Sequence, residues 1–294
     1  MSTTAVGDRE PVMSPVDRRD GRDSRATDEP TIGRAFSGKA EEYDARMLNR
    51  PLDQWARGQV RSAVRRHIAP SGSILELNAG TGLDAAALAA DGYRVHATDI
   101  ATGMLERAQR RADEGSAFTV ERRSFLELDG IDGAPFDLVL SNFGGLNCTD
   151  RLDLFADGVE AVLRPGGVAV LVFMPPVAPW EHVQVVRGHW RTAVRRWRRR
   201  GVEANIGGTP VRTWYPSART VQAAFGPGFR RLELRALCLF APSLMLGEFP
   251  GRHTTLTRLG MRLDEVLGGL WPFRFAGDFS ILVLERHAGA LAGR

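Results

Sequence analysis

The sequence predicts an α/β fold, a parallel sheet covered by helices on both faces, and three observations predict it. Short apolar runs alternate with helix-patterned segments between Ser73 and Met174, joined by short turns. The first apolar run enters a helix through Asn78-Ala79-Gly80-Thr81-Gly82, a turn of very small residues. The second run ends on an acid, Asp99.

Taken in order, Met1 to about Thr31 is rich in Asp, Arg, Ser, Thr and Pro and nearly lacks large apolar side chains. It cannot bury enough surface to offset ordering entropy and is expected to be a disordered tail, with order beginning near Phe36. Residues 32–72 are then expected as N-terminal lid helices, broken near Pro51, with Leu52, Trp55, Val60, Val64 and Ile68 at helical spacing. In the core segment 73–174, "SILELN" is a buried strand, "LDAAALAADG" a helix stopped by Gly92, and "YRVHATD" the second strand. "ATGMLERAQRRADEG" is a helix capped at Thr102 and stopped at Gly115. "AFTVERRS" and "FDLVLSN" are strands, "DRLDLFADGVEAVL" a helix, and "VAVLVFM" the next strand.

Regularity fails after Met174. Residues 175–213 read as a lid insertion holding a basic, tryptophan-containing helix and a glycine-rich turn. Residues 214–294 complete the sheet with helix "SARTVQAAFGPGF" and strands "RRLELRALCLF" and "DFSILVLER", around a second insertion at 241–275.

Composition fits a globular protein, with 43% apolar and 25% charged residues among 294 and a formal net charge of +4. That charge excess is too small to imply nucleic acid by itself. Lys39 is the sole lysine, and the two cysteines, Cys148 and Cys238, have no metal-ligand spacing. A disulfide scaffold is excluded and a cytoplasmic location is expected. No apolar leader is evident, and "ALCLFAPSLML", broken by Pro242, is too short to span a bilayer.

A small-residue turn between a parallel strand and a helix lets backbone amides approach a ligand closely. Gly80-Thr81-Gly82-Leu83-Asp84-Ala85 fits G-x-G-x-x-A, the dinucleotide pattern, and Asp99 suits either a dinucleotide ribose or another adenosyl cofactor. Three features favour the second. Glu76 sits inside the first strand, the strand ending "LSNFGGLN" opens a small polar mouth, and the chain ends strand–insertion–strand rather than in repeated strand–helix units.

At these residues the chain resembles the class I S-adenosylmethionine-dependent methyltransferases, particularly their small-molecule branch. The matching pieces are Phe36-Ser37-Gly38-Lys39-Ala40-Glu41-Glu42-Tyr43-Asp44, Glu76 to Gly82, Asp99-Ile100, Phe136-Asp137-Leu138-Val139 and Leu163-Arg164-Pro165-Gly166-Gly167. The resemblance implies a Rossmann-like, seven-stranded, mostly parallel sheet with a last antiparallel strand, and S-adenosyl-L-methionine as cofactor, released as S-adenosyl-L-homocysteine. It implies that Asn78, Ala79, Gly80, Thr81 and Gly82 pass under the methionine and ribose, with Glu76 just before them. Asp99 would accept from both ribose hydroxyls. Ile100 and Met104 would border the adenine, Ser124 and Phe125 its far edge, and Asn142 and Phe143 the methionyl side, with Tyr43 closing the pocket. Asn78 stands where the family usually has glycine, and Ser124 where an aspartate often reads the adenine amino group.

The implied reaction is attack of an acceptor on the sulfonium methyl, for which the protein aligns the reactants and excludes water. A base is needed only where the nucleophile must lose a proton. Candidates are His182, beside Glu181 after the fifth strand, and His253 in the second insertion, followed by His189 and Tyr215. In "WRTAVRRWRRRG" an apolar stripe of Trp190, Val194 and Trp197 is expected to pack on the domain, leaving Arg191, Arg195, Arg198 and Arg199 solvated. Trp180, Trp214, Phe240, Phe249, Trp271 and Phe273 are expected to favour an apolar acceptor pocket. The partner is then a small molecule and the protein a monomer or homodimer. Competing readings are an NAD(P)-dependent oxidoreductase, an RNA-directed methyltransferase or nucleic-acid binder using the arginines, and a silent cofactor-holding fold. For the arginine segment the alternatives to a solvated lid helix are an anionic substrate, a membrane surface or RNA, and RNA ranks last among these because no RNA-binding module accompanies it.

Overall fold

Alternating strand and helix produce the expected parallel arrangement, with one antiparallel strand inserted near its edge. The computed structural model describes residues 28–183, 194–198 and 200–289. Strands β1 (Ser73–Leu77), β2 (Arg94–Asp99), β3 (Phe118–Arg122), β4 (Phe136–Ser141) and β5 (Leu163–Phe173) come first. Then follow β6 (Val202–Ile206) and β7 (Thr209–Thr213), which pair with each other, and β8 (Phe229–Leu237) and β9 (Phe279–Arg286). The seven-stranded sheet has the order β3-β2-β1-β4-β5-β9-β8. β1 to β5 pair in parallel, and β9 lies antiparallel between β5 and β8.

Pleating of β1 divides the core. Ile74 faces one layer with Leu52, Val60 and Val64 of α3 (Pro51–His67) and Leu88 of α4 (Leu83–Ala90), preceded by α1 (Glu29–Ser37) and α2 (Ala40–Asn49). Leu75 and Leu77 face the other, with Phe155 and Val159 of α6 (Leu152–Val162) and Val221 of α8 (Ala218–Ala224). Helix α5 (Thr102–Asp113) follows β2, and α7 (Pro179–His182) follows β5. The second insertion forms α9 (Phe249–Arg252) and α10 (Thr254–Leu267). Because β2 lies on one side of β1 and β4 on the other, chain order reverses there, and the crevice beyond the carboxyl ends of β1 and β4 is where such sheets bind ligands.

Several expectations need correction. The tail expected to reach residue 31 already turns helical at Glu29, because the Asp28 side chain caps α1 by accepting from Thr31 N–H at 3.1 Å and Pro30 sits in the first turn. Thr102 is the first helical residue of α5 rather than its cap, a place taken by Ala101. The glycine-rich turn of the first insertion is a β-hairpin, with Gly207 and Gly208 both at positive φ between β6 and β7.

The basic segment also differs, while His189, Trp190, Arg191 and Arg199 lie outside the described residues. Among the rest, Arg195–Trp197 is a single 3₁₀ turn. Trp197 is 57% exposed, and Arg196 is buried instead. Arg196 donates to Glu181 Oε1 at 2.7 Å and to Asp278 Oδ1 at 2.8 Å, and its guanidinium stacks 5.1 Å from the Tyr215 ring. A buried cation needs partners, and two acids from different parts of the chain outweigh the apolar spacing of Val194 and Trp197.

Candidate active site

The loop after β1 begins with Asn78 at φ 47°, a left-handed conformation asparagine tolerates better than most residues. Its amide closes the first gap beside β4: Nδ2 donates to Asn142 O at 2.6 Å, and Oδ1 accepts from Ser141 Oγ at 2.9 Å. The amide occupies the space a Cβ on Gly145 would take, 2.3 Å away, so glycine is required there. Gly80 and Gly82 follow at φ 60° and 73°, and a Cβ on Gly82 would press on the Phe118 ring at 3.0 Å. The missing glycine at position 78 is thus replaced by a side chain that joins β1 to β4.

Asp99 holds the same loop from the β2 side. Its Oδ2 accepts from Gly80 N–H and its Oδ1 from Ala101 N–H, both at 2.8 Å. Burial raises this carboxyl above the ordinary aspartate range, against the N–H donors that favour its charge.

Glu76 lies one step along β1, 1% exposed. One oxygen takes the Ala85 N–H, and Oε2 has no hydrogen-bond partner among the described residues. Burial, followed by the nearby Asp84 charge, raises its pKa well above the ordinary value. Asp84 in turn is paired with Arg57 and Arg61 and accepts from Asn142 Nδ2 at 2.7 Å. Arg57 also donates to Tyr43 Oη at 2.7 Å and lies over the Phe143 ring at 5.1 Å. Burial alone would weaken that cation, but Asp84 and Tyr43 keep its pKa above normal.

These groups surround a cavity of about 830 Å³, including its solvent-filled mouth. It is lined by Tyr43, Glu76, Asn78, Ala79, Gly80, Asp99, Ile100, Met104, Phe125, Asn142 and Phe143, which the structure brings together. Thr81, Gly82 and Ser124 stand behind the wall. Thr81 is fully buried and donates to Asp44 Oδ1 at 2.5 Å, which latches α2 to the loop. Ser124 Oγ donates to Glu29 and accepts from Leu126 N–H at 3.0 Å, so its hydroxyl is already engaged.

Neither candidate base reaches this cavity. His182 is fixed by Nδ1 on Ala178 O at 2.7 Å and stacks near Trp197, while exposed His253 packs on the Phe249 ring at 4.4 Å. Tyr215 is held under Arg196. The aromatics of the insertions also lie elsewhere: Trp180 packs on Phe249 and Phe240 on Phe273, whereas the cavity's rings are Phe36, Tyr43, Phe125 and Phe143. Sequence reading missed Ile32, Arg57, Arg123 and Cys148 in the lining, whereas Gly144 and Gly145 belong to the polar mouth read from "LSNFGGLN". Of the missed residues, Arg57 had a signal, since it and Asp53 are the two charged residues on the otherwise apolar buried face of α3. Burial, and then Asp99, push the Cys148 thiol up to about 12, so it stays protonated at neutral pH.

Comparison with known proteins gives the same assignment. A family model described as a methyltransferase domain matches residues 74–167. A demethylmenaquinone methyltransferase of Clavibacter sepedonicus is 38% identical over 127 residues, 40% of this chain and 49% of that protein. Against that relative the chain therefore spans about half the length. One of the same name from Parafrankia sp. is 30% identical over 239 residues, 70% of this chain and 89% of that protein. Among solved structures, magnesium protoporphyrin IX methyltransferase from Synechocystis with bound SAH superposes with TM-score 0.55 over 88% of this chain and all of that one, at 15% identity, a likeness of fold. With its motifs in order, its sheet in this topology and a relative matched along most of its length, the chain belongs to the class I S-adenosylmethionine-dependent methyltransferases.

Proposed function

We propose that the chain transfers a methyl group from S-adenosyl-L-methionine to a small, apolar or aromatic acceptor. The observation that carries this reading is the cluster of Glu76, Gly80 and Asp99 on one cavity wall. Asp99 is fixed by the Gly80 and Ala101 N–H groups with its carboxylate on the cavity wall, a charged acceptor suited to ribose hydroxyls. The orphaned Glu76 Oε2 offers a buried acceptor to an ammonium group, which the methionyl part of the cofactor carries. Ile100, Met104 and Phe125 supply an apolar slot for a purine, and Asn142 and Phe143 the methionyl side. With that cofactor bound, the site holds a methyl already activated on a sulfonium.

The chain's own work is then orientation and exclusion of water. Tyr43, held by Arg57, and Asp44, held by Thr81 and by Arg111 Nη2 at 3.0 Å, fix α2 over the cavity. No histidine is assigned as base, since His182 and His253 are engaged elsewhere. The domains serve this arrangement as a lid over residues 32–72, a core over 73–174 and two insertions. Relatives named for demethylmenaquinone support a small-molecule acceptor.

The oxidoreductase reading lacks a hydride-transfer partner, because Lys39, the sole lysine, precedes α2 rather than following a tyrosine in the sheet. The nucleic-acid reading loses two of its arginines: Arg195 and Arg196 are paired with Glu181 and Asp278. Among the described residues no helix is long and apolar enough to cross a membrane. A labelled methyl donor incubated with a panel of aromatic and isoprenoid acceptors tests the proposal. Label should enter an acceptor of this class with wild type and His253→Ala alike, and fall roughly tenfold or more with Asp99→Ala at subsaturating donor. Transfer only to RNA would contradict it.

A further inference from the structure

Helix α10 buries mainly small and polar residues, and of its large apolar side chains Met261 packs against the main core. The face it buries carries Thr257, Gly260 and Asp264, which are small or polar, and Gly268 continues that line past the helix end. A Cβ on Gly260 would lie 2.6 Å from Phe240 O, so the helix backbone rests directly on the β8-to-α9 connection. Asp264 accepts from Leu239, Phe240 and Ala241 N–H at 3.0–3.1 Å, and Thr257 Oγ1 donates to Pro250 O at 3.0 Å. These bonds set the helix's rotation. A helix free to choose would bury its leucines.

Its apolar stripe consequently faces outward. Leu256 is 46% exposed, Leu259 54%, Val266 70% and Leu270 52%, with Trp271 at 75% just beyond. Positions 256, 259, 263 and 266 fall three and four apart, so half-buried Leu263 completes a row along the helix, and Leu270 and Trp271 follow just past its end. Arg258 and Arg262 are exposed on the flank of that row and have no ion-pair partner among the described residues. Scattered exposed leucines need no explanation, but a contiguous row with a tryptophan and a cationic flank marks an interaction surface.

We infer that α10 seats the protein on an anionic lipid surface, with the leucine row and Trp271 in the acyl boundary and Arg258 and Arg262 among the headgroups. The charge pattern selects this occupant. A second copy docked face to face would bring the unpaired arginines together, whereas an anionic leaflet neutralises them. The N-terminal 27 residues hold few large apolar side chains and offer little to cover a leucine row. The inference is independent of the proposed methyl transfer.

Co-sedimentation of the full chain with phosphatidylcholine vesicles, with and without phosphatidylglycerol, tests this surface. Binding should require the anionic lipid and weaken as salt is raised. Leu259→Asp with Val266→Asp, and separately Arg258→Glu with Arg262→Glu, should each weaken it roughly tenfold or more. Circular dichroism and S-adenosylhomocysteine binding, unchanged in both variants, show that the fold survives. Equal binding by wild type and the aspartate variant would overturn the inference, as would no binding to anionic vesicles. A sedimentation-velocity dimer that the aspartate pair dissociates, without vesicle affinity, would make the face a protein interface and equally overturn it.

Discussion

Gly80 N–H donates to Asp99 Oδ2 at 2.8 Å, so the acid that ends β2 fixes the turn that ends β1. The same carboxylate takes Ala101 N–H on its other oxygen and starts α5. Asp99 is therefore a structural anchor before any ligand arrives. Asp99→Ala leaves two amides without their acceptor and should cost about 2 kcal/mol of folding stability by urea titration. An unchanged midpoint would show that the turn holds its shape alone.

Glu76 should make cofactor binding pH-dependent. Burial and Asp84 hold its folded-state pKa well above the ordinary value, so the ligand-free protein retains a proton that the unfolded chain releases. Its contribution to stability is full below the unfolded pKa and is lost as pH rises through the raised one. An ammonium beside Glu76 favours the carboxylate. S-Adenosylhomocysteine affinity should therefore increase with pH across that window, with protons released on binding. Calorimetry in two buffers of different ionisation enthalpy measures the release, and Glu76→Gln should abolish it.

Arg196 and Arg195 both reach Glu181, yet they should differ in stability. Arg196 is buried between Glu181 and Asp278, whereas the Arg195 side chain is 35% exposed. Arg196→Ala leaves buried Asp278 without its ion-pair partner and should cost about 3–5 kcal/mol. Arg195→Ala should cost under about 1 kcal/mol. Thermal and urea unfolding of the two variants decide the order.

Asn78 and Gly145 should be energetically coupled, because the Asn78 amide fills the place of any Cβ at position 145. Gly145→Ala alone should destabilise by about 1–3 kcal/mol through overpacking. In an Asn78→Gly background the same change should be nearly neutral. A double-mutant cycle reads the coupling directly.

The central architecture was legible because β1 to β5 are bounded by unambiguous turns, and because Asp99 and the Asn78–Gly82 loop are neighbours in the sheet as well as recognisable in sequence. The insertions were less so. Trp197 is exposed and Arg196 buried because Glu181 and Asp278, far from Arg196 along the chain, pair with it, and periodicity carries no information about distant partners. Helix α10 hides its polar face for the same reason: Asp264 is bound by amides of residues 239–241. His182 and His253 drew notice as titratable groups near insertions, but their ring contacts hold them away from the cavity. Arg57 was missed because a cation pointing inward from α3 makes sense only once Asp84 is seen beneath it.

The central claim is that the Glu76–Gly80–Asp99 wall holds an adenosyl amino acid. Calorimetric titration of the purified chain with S-adenosylhomocysteine and, separately, NADH, each repeated with Asp99→Ala, addresses it most directly. Losing charge-assisted bonds to two hydroxyls should weaken S-adenosylhomocysteine roughly ten- to a hundredfold, while NADH gives no saturable heat with either protein. Saturable NADH binding that depends on Asp99, with no heat from S-adenosylhomocysteine, would contradict the account.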